Sequence, residues 1–283
     1  MGITKIENLR IEGPNGKPLV MDVFHKNTQG ELILFCHGYK ENKHWGAWDL
    51  MGEYFAERGY IFVKFNYSFN GTSPENLEEF SDLEAFAQNR ISFELKDTLK
   101  MIDFLFLQAD FRDLYLDHPK HLVGHSRGGA MCILAEASCS HSFDSVSAWA
   151  APANFGYFMP SGWKKWYWKF KKRVYLNHPR TGLKLPHDFG FYQDFYEHQD
   201  DLNLPKALQN SSARHLLIQG DNDAVVSLAQ AEELHASSQG SELLILPGMN
   251  HNLGNVTPWK GEQLPEYLQK CVDKTLNFIQ NEN

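Results

Sequence analysis

Three residues of the chain stand in an arrangement that suits nucleophilic catalysis. Gly124, Ser126 and Gly128 form a Gly-x-Ser-x-Gly motif, with a strand-like run at 120–123 that ends in Leu122 and Val123 before it and a helix-like apolar run from Ala130 after it. In that setting the motif predicts a sharp turn between a strand and a helix, which strains the serine backbone and exposes the hydroxyl. The N–H of the next residue then lies at the start of a helix, where it is suited to stabilise a developing oxyanion.

A base and an acid for this serine follow later in the chain, each in a loop after a predicted strand. The apolar strand 216–220 leads to Asp221 and Asp223, and the strand 242–246 leads to His251. Because loops at the carboxyl ends of parallel strands meet at one rim of a sheet, we expect these side chains to lie near the serine. A serine hydroxyl needs an imidazole to take its proton, and the imidazole needs a carboxylate to fix its tautomer.

A fourth element lies upstream, where the strand 32–36 is followed by His37, Gly38 and Tyr39. This turn is expected to present the backbone N–H of Tyr39 as a second oxyanion donor, beside the backbone N–H of Arg127. The chain therefore contains a nucleophile, a base, an acid and an oxyanion hole in an order that one sheet edge can bring together.

These motifs resemble those of the α/β-hydrolase superfamily, and the resemblance covers nearly the whole chain. It is carried by His37 to Tyr39, Gly124 to Gly128, Gly220-x-x-Asp223 and His251. The chain is similar to small bacterial esterases and acyl hydrolases of the dienelactone-hydrolase and cinnamoyl-esterase kind. The resemblance implies a catalytic triad of Ser126, Asp223 and His251, with the Gly-x-x-Asp spacing favouring Asp223 over Asp221. It also implies a reaction that requires neither a metal nor an organic cofactor.

Predicted strands alternate with predicted helices along most of the chain, which indicates an α/β fold with a mostly parallel sheet and helices on both faces. A long helix or a broken pair of helices is expected over 82–107. The segment from about 154 to 205 is rich in aromatic, Lys, Gly and Pro residues and shows no clear alternation. The superfamily places its cap at this point, and so long an insertion is expected to be functional. We predict a single α/β-hydrolase domain over 1–283 with a cap insertion at about 154–205.

One stretch of the insertion combines aromatic and basic residues at helical spacing. Trp163, Trp166 and Phe170 fall on one face of the predicted helix, and lysines such as Lys164 and Lys165 are interleaved with them. We interpret the stretch as an amphipathic cap helix whose aromatic face packs over the pocket, and we predict these three aromatic residues to bind substrate. The lysines are then solvated, although a stretch that binds nucleic acid, an anionic surface or an anionic substrate has the same composition.

The composition excludes several classes of protein. Against 27 basic residues the chain has 35 acidic ones, and a net charge of −8 disfavours nucleic acid as a partner. The first residues do not have the pattern of a signal peptide, and no apolar run approaches the ~20 residues of a membrane span. Four cysteines without a CxxC motif make disulfides unexpected, so the cytoplasm is the expected compartment. His118 and His121 face opposite sides of an extended segment, which argues against a metal site there.

The motifs favour a serine hydrolase that cleaves a small or medium carboxylic ester or thioester through an acyl-enzyme on Ser126. An exopeptidase or a C–C bond hydrolase uses the same three residues, and aryl esters, amino-acid anilides and vinylogous diketones distinguish these activities. The alternative from a different class is a non-catalytic ligand-binding module of the same fold. Loss of a triad residue would indicate such a module, and Ser126, Asp223 and His251 are all present.

Overall fold

A computed structural model describes residues 2–26, 28–178 and 182–281. The strands in these residues are β1 (Thr4–Ile11), β2 (Leu19–His25), β3 (Leu32–Cys36), β4 (Ile61–Asn66), β5 (Lys120–His125), β6 (Ser145–Trp149), β7 (Arg173–Asn177), β8 (Lys184–Asp188), β9 (Arg214–Gly220) and β10 (Glu242–Leu246). Eight of them form one sheet in the order β1-β2-β4-β3-β5-β6-β9-β10, and β7 pairs with β8 in a separate hairpin.

Helices cover both faces of this sheet. They are α1 (Trp48–Glu57), α2 (Leu83–Gln88), α3 (Ile91–Leu107), α4 (Ala109–Arg112), α5 (Arg127–Ser138), α6 (Gly162–Lys171), α7 (Gly190–Glu197), α8 (Leu204–Asn210), α9 (Leu228–Ser237) and α10 (Glu266–Gln280). The sheet is antiparallel only where β2 meets β1 and β4, and the remaining pairs are parallel. The predicted α/β fold class is confirmed. None of the described helices is both long and apolar enough to cross a lipid bilayer.

Both faces of the sheet are buried, and strand β3 shows how the sequence achieves this. Leu34 and Cys36 belong to the apolar cluster on the face covered by α3 and α5. Ile33 and Phe35 belong to the cluster on the opposite face, which is covered by α1 and α10. Because successive side chains of a strand point to opposite faces, an uninterrupted apolar run supplies both layers.

The helical region before β5 is present as the broken pair α2 and α3. Asp82 caps α2 by accepting the N–H of Ala85 at 2.9 Å, and the helix ends at Asn89, whose ψ is 148°. The Asn89 side chain holds the break, since its amide donates to Glu94 at 2.6 Å and its carbonyl accepts the N–H of Arg90 at 2.8 Å. These bonds fix the position of Glu94 near the start of α3.

Between β6 and β9 the chain leaves the sheet. It forms a 3-10 turn at Phe155–Phe158, then α6, the β7–β8 hairpin, α7 and α8. Strands β6 and β9 nevertheless pair directly, with Ser145 opposite Arg214 and Trp149 opposite Ile218. The segment therefore begins and ends in neighbouring strands and does not interrupt the sheet.

Candidate active site

Ser126 lies in the turn between β5 and α5, and its backbone is strained. Its φ of 54° and ψ of −122° fall in a region that is costly for a residue with a side chain. A Cβ on Gly124 would lie 2.5 Å from the backbone of Gly128, and a Cβ on Gly128 would lie 2.1 Å from the carbonyl oxygen of Cys36. The two glycines are therefore required for the turn to close, and Ser126 is left half-buried at the carboxyl edge of the sheet.

Ser126, His251 and Asp223 form a continuous chain of hydrogen bonds. Ser126 Oγ lies 2.9 Å from His251 Nε2, and His251 Nδ1 lies 2.8 Å from Asp223 Oδ2. The bond to the carboxylate places the imidazole proton on Nδ1, so Nε2 is free to accept the hydrogen of the serine hydroxyl. The structure thus brings together the three side chains selected from the sequence, each from a loop that follows a different parallel strand.

The carboxylate of Asp223 is fully buried and accepts several hydrogen bonds. Besides His251, the donors are the Gln219 amide at 3.0 Å and the N–H groups of Val225 and Val226 at 2.8 and 2.9 Å. Burial alone would raise the pKa of Asp223, but the hydrogen bond and charge of His251, together with the two N–H groups, lower it below its usual value. Asp223 is therefore held in the ionised form that stabilises an imidazolium.

The competing acid, Asp221, makes a different contact. Its Oδ1 accepts the N–H of Gly248 at 2.6 Å, and this bond joins the loop after β9 to the loop that carries His251. Asp221 is exposed, whereas Asp223 is the acid that contacts the imidazole. The geometry assigns Asp221 to loop positioning.

The two predicted oxyanion donors lie in segments that pack against each other. Arg127 begins α5 directly after the serine, and Tyr39 lies in the loop after β3. Gly128 allows the close approach, because a Cβ there would also lie 2.5 Å from the carbonyl oxygen of His37. The side chains meet as well, since the Arg127 guanidinium lies 3.7 Å from the centre of the Tyr39 ring and 3.1 Å from Glu94 Oε1.

A buried carboxylate–imidazole pair, Glu41 and His125, lies behind these residues. Glu41 Oε1 is 2.9 Å from His125 Nδ1, and Glu41 Oε2 accepts the N–H of Gly38 at 2.7 Å. On its other side, His125 Nε2 donates to the backbone carbonyl oxygen of His251 at 2.7 Å. The pair therefore connects the loop that carries Tyr39 to the loop that carries His251.

The environment favours the ionised form of both members of this pair. Burial lowers the pKa of His125, but the charge of Glu41, whose Oε1 lies 2.9 Å away, outweighs burial and raises it above its usual value. Burial raises the pKa of Glu41, and His125 reverses this effect, so that the pKa of Glu41 is lowered. Neighbouring His37 differs, because burial lowers its pKa to about 4 and leaves it neutral. Sequence reasoning missed Glu41, and its position three residues after Gly38 is the signal that could have drawn attention to it.

Replacing Glu41 with glutamine is expected to destabilise the protein by about 3 kcal/mol, because a buried imidazolium loses its counter-charge. The lowered pKa of Glu41 contributes stability above its unfolded value of 4.5, and this contribution is lost as the pH falls. The raised pKa of His125 contributes stability below its unfolded value of 6.5, and this contribution is lost as the pH rises. The stability deficit of Glu41→Gln should therefore be largest between pH 4.5 and 6.5 and should shrink above pH 6.5.

Urea unfolding of the wild type and Glu41→Gln over this pH range and above it measures the deficit. Glu266→Gln is the matched control, because Glu266 belongs to an exposed ion pair with Lys270 that solvent screens. A deficit that does not vary with pH would contradict the ionised pair.

Aromatic side chains from three parts of the chain surround the Tyr39 ring. Phe86 of α2 stacks on it at 5.7 Å, Phe191 of α7 stacks at 6.4 Å, and His187 of β8 meets it edge-on at 5.7 Å. The Arg127 guanidinium also lies 5.1 Å from the centre of the Phe191 ring. The segment between β6 and β9 therefore reaches the site through His187 and Phe191.

The predicted packing of the aromatic face of α6 over the site is wrong. Trp163, Trp166 and Phe170 are 73%, 68% and 82% exposed and point to solvent. The inward side of the helix carries Trp168, which is 7% exposed and donates its indole N–H to the carbonyl oxygen of His187 at 2.8 Å. Helical periodicity identifies the two faces of α6, but the neighbouring elements decide which face is buried. Here β8 and α7 accommodate the indole of Trp168.

One cluster in the described residues has the donors of a metal site. Ligand atoms of Asp22, His44 and Asp49 lie within 4.8 Å of one another. Two lysine ammonium groups pair with the carboxylates of this cluster, since Lys43 Nζ is 2.6 Å from Asp22 and Lys64 Nζ is 2.6 Å from Asp49. The cluster is an ion-pair network that anchors the loop after β3, and the two lysines supply the positive charge that a metal would bring.

Comparisons with known proteins agree with this architecture. A family model described as the α/β hydrolase fold matches residues 31–189, whereas no curated protein sequence matches the chain. The dienelactone hydrolase from Anabaena variabilis is 14% identical with a TM-score of 0.64, covering 99% of this chain and 98% of that one. Mouse alpha/beta hydrolase domain-containing protein 10 is 16% identical with a TM-score of 0.69 and the same coverage. Est1E from Butyrivibrio proteoclasticus with bound ferulic acid is 14% identical with a TM-score of 0.69, covering 95% and 98%.

Proposed function

Since the chain belongs to the α/β hydrolase family, we propose that it is a serine hydrolase that cleaves a small or medium carboxylic ester or thioester. The observation that carries this proposal is the chain of hydrogen bonds from Asp223 through His251 to Ser126 Oγ. A nucleophile in contact with a base, itself oriented by a third group, is the arrangement that activates a serine hydroxyl. The dienelactone hydrolase among the similar structures supports an ester as the substrate class, because a lactone is a cyclic ester.

The proposed reaction proceeds through an acyl-enzyme. His251 Nε2 takes the proton of Ser126 as Oγ attacks the carbonyl carbon, and Asp223 stabilises the imidazolium that forms. The N–H groups of Tyr39 and Arg127 donate to the oxyanion of the tetrahedral intermediate. His251 then protonates the leaving alcohol or thiol, and a water molecule activated by His251 releases the acid.

A fluorophosphonate probe tests the proposal directly, because it reacts covalently only with an activated serine. The wild type should be labelled and Ser126→Ala should not. Ser161→Ala is the matched control, since the Ser161 side chain makes no capping bond at the start of α6. An unlabelled wild type, or labelling that persists in Ser126→Ala, would contradict the assignment. Turnover of aryl esters, amino-acid anilides and vinylogous diketones then identifies the bond that is cleaved.

We further propose that the insertion at about 154–205 acts as a cap that shapes the acyl site. Phe191 is the residue of α7 that contacts both Tyr39 and Arg127, whose N–H groups are the proposed oxyanion donors. Flat aromatic side chains favour flat or long apolar acyl groups, because the contact area is large. The aromatic wall of Tyr39, Phe86 and Phe191 thereby takes the role predicted for the exposed side chains of α6.

Phe191→Leu is expected to lower kcat/KM for aromatic acyl esters by about 10-fold relative to short aliphatic esters, because stacking is lost while apolar volume is kept. Trp166→Ala, on the exposed face of α6, should leave the ranking of soluble esters unchanged. Initial rates on a panel of esters graded by acyl group measure both effects. If Phe191→Leu lowers all rates by one common factor, Phe191 supports the fold and does not select the acyl group.

A further inference from the structure

Helix α6 exposes a continuous aromatic face. Trp163, Trp166, Tyr167 and Phe170 are 73%, 68%, 52% and 82% exposed, although side chains of this size are usually buried. They recur at the i, i+3, i+4, i+7 spacing that aligns residues along one side of a helix. The opposite side is fixed by Trp168, which packs edge-on against Phe189 and Tyr192. The aromatic face is therefore held outward by the packing of the helix.

Basic residues border this face. The segment 161–173 contains six of the 27 basic residues of the chain and none of its 35 acidic residues. Arg173 is paired with Glu84 and Asp188, and Lys165 lies inward over the Tyr192 ring. The other four are exposed and form no ion pair with a described residue: Lys164, Lys169, Lys171 and Lys172.

The positions of these lysines follow from helical geometry. At roughly 100° per residue, the four aromatic side chains fall within about 100° of one another. Lys164 and Lys171 then border one side of this arc, and Lys169 borders the other. Lys169 already lies over the Trp166 ring, with Nζ 5.6 Å from the ring centre. Aromatic residues at the centre and lysines at both borders are the arrangement of helices that lie in a lipid interface.

We propose that this face of α6 docks the protein onto an anionic lipid surface, with the aromatic side chains entering the headgroup region and the lysines contacting lipid phosphates. Charge complementarity indicates an anionic lipid surface as the partner, because the lysines of α6 concentrate positive charge where the aromatic residues are exposed. A second copy of the chain fits less well, since a two-fold contact through this face would oppose the same lysines.

Sedimentation of the full chain with lipid vesicles tests the proposal independently of any enzymatic activity. Vesicles of phosphatidylcholine with phosphatidylglycerol should bind the protein, and vesicles of phosphatidylcholine alone should bind it at least about 10-fold more weakly. Raising the salt concentration from about 0.05 to 0.5 M should weaken binding to the anionic vesicles, because it screens the lysines.

Two kinds of variant separate the aromatic and basic contributions. Trp166→Ser with Phe170→Ser should reduce partitioning into anionic vesicles by about 10-fold or more. Lys169→Glu with Lys171→Glu should do the same and should remove most of the salt dependence. Leu107→Ser and Lys100→Glu are matched controls on α3, where Leu107 is 70% exposed. Circular dichroism and melting temperatures check that each variant is folded.

Three results would overturn the proposal. Binding that is equal on neutral and anionic vesicles, or absent from both, excludes an anionic lipid surface as the partner. A dimer in analytical ultracentrifugation that dissociates in Trp166→Ser with Phe170→Ser assigns the face to a second copy. Binding of a single-stranded oligonucleotide at the same salt, without binding to vesicles, assigns the face to nucleic acid.

Discussion

Ser126→Ala is expected to lower kcat for an activated aryl ester by about 10⁶-fold, because the nucleophile of the proposed acyl-enzyme is removed. His251→Ala should produce a loss of similar size, since the serine hydroxyl then has no base. The double variant should be only slightly slower than either single variant, because the two residues act as one unit. Single-turnover rates with a p-nitrophenyl ester measure all three losses, and Ser161→Ala should retain the wild-type rate.

The double variant is the decisive comparison. If the losses of the two single variants multiply in the double variant, Ser126 and His251 act in separate steps and the proposed mechanism is wrong. If neither substitution lowers the rate of ester hydrolysis, the ester is hydrolysed elsewhere on the protein.

Asp223→Asn is expected to keep the fold while lowering kcat by about 10⁴-fold, because an amide at this position favours the wrong imidazole tautomer. The side chain is fully buried and its Oδ1 accepts the N–H groups of Val225 and Val226, which the asparagine carbonyl can still accept. Asp221→Asn is the control, since Asp221 contacts Gly248 and does not contact His251. A larger loss for Asp221→Asn than for Asp223→Asn would assign the acid to Asp221.

The sheet and the three hydrogen-bonded side chains were predictable because they depend on local patterns and on chain order. Short apolar stretches at 122–123, 216–218 and 243–246 mark the strands, and Ser126, Asp223 and His251 each lie in the loop that follows one of them. The parallel arrangement then brings the loops to one edge, whatever the distance between them along the chain. Gly124 and Gly128 make the motif more specific, because few other motifs require a residue without a side chain at both positions.

Two features depend on tertiary contacts and were not predictable. The aromatic residues of α6 were expected to be buried because they form the larger apolar face, but the space between β8 and α7 accommodates Trp168. Glu41 follows Gly38 by three residues, but this spacing alone does not reveal the contact of Glu41 with His125 on β5. Neither hydrophobic periodicity nor motif spacing predicts the shape of a neighbouring helix or strand. Nor do they predict which residue, distant in the sequence, a side chain will contact.

The direct pairing of β6 with β9 has a consequence for how the protein can be altered. Because Ser145 pairs with Arg214 and Trp149 with Ile218, the sheet fixes the two ends of the excursion that contains α6 and α7. The entropy of closing a loop rises by only about 0.6 kcal/mol for each doubling of its length, so loop closure itself tolerates length changes, whereas core residues of the excursion such as Phe195 and Leu208 have to be kept or replaced by equally apolar ones. Ser126, Asp223 and His251 lie outside the excursion. A graft between the two anchored ends would therefore replace Phe191 of the proposed acyl wall and the proposed lipid-docking face of α6 together, while Ser126, Asp223 and His251 stay in place.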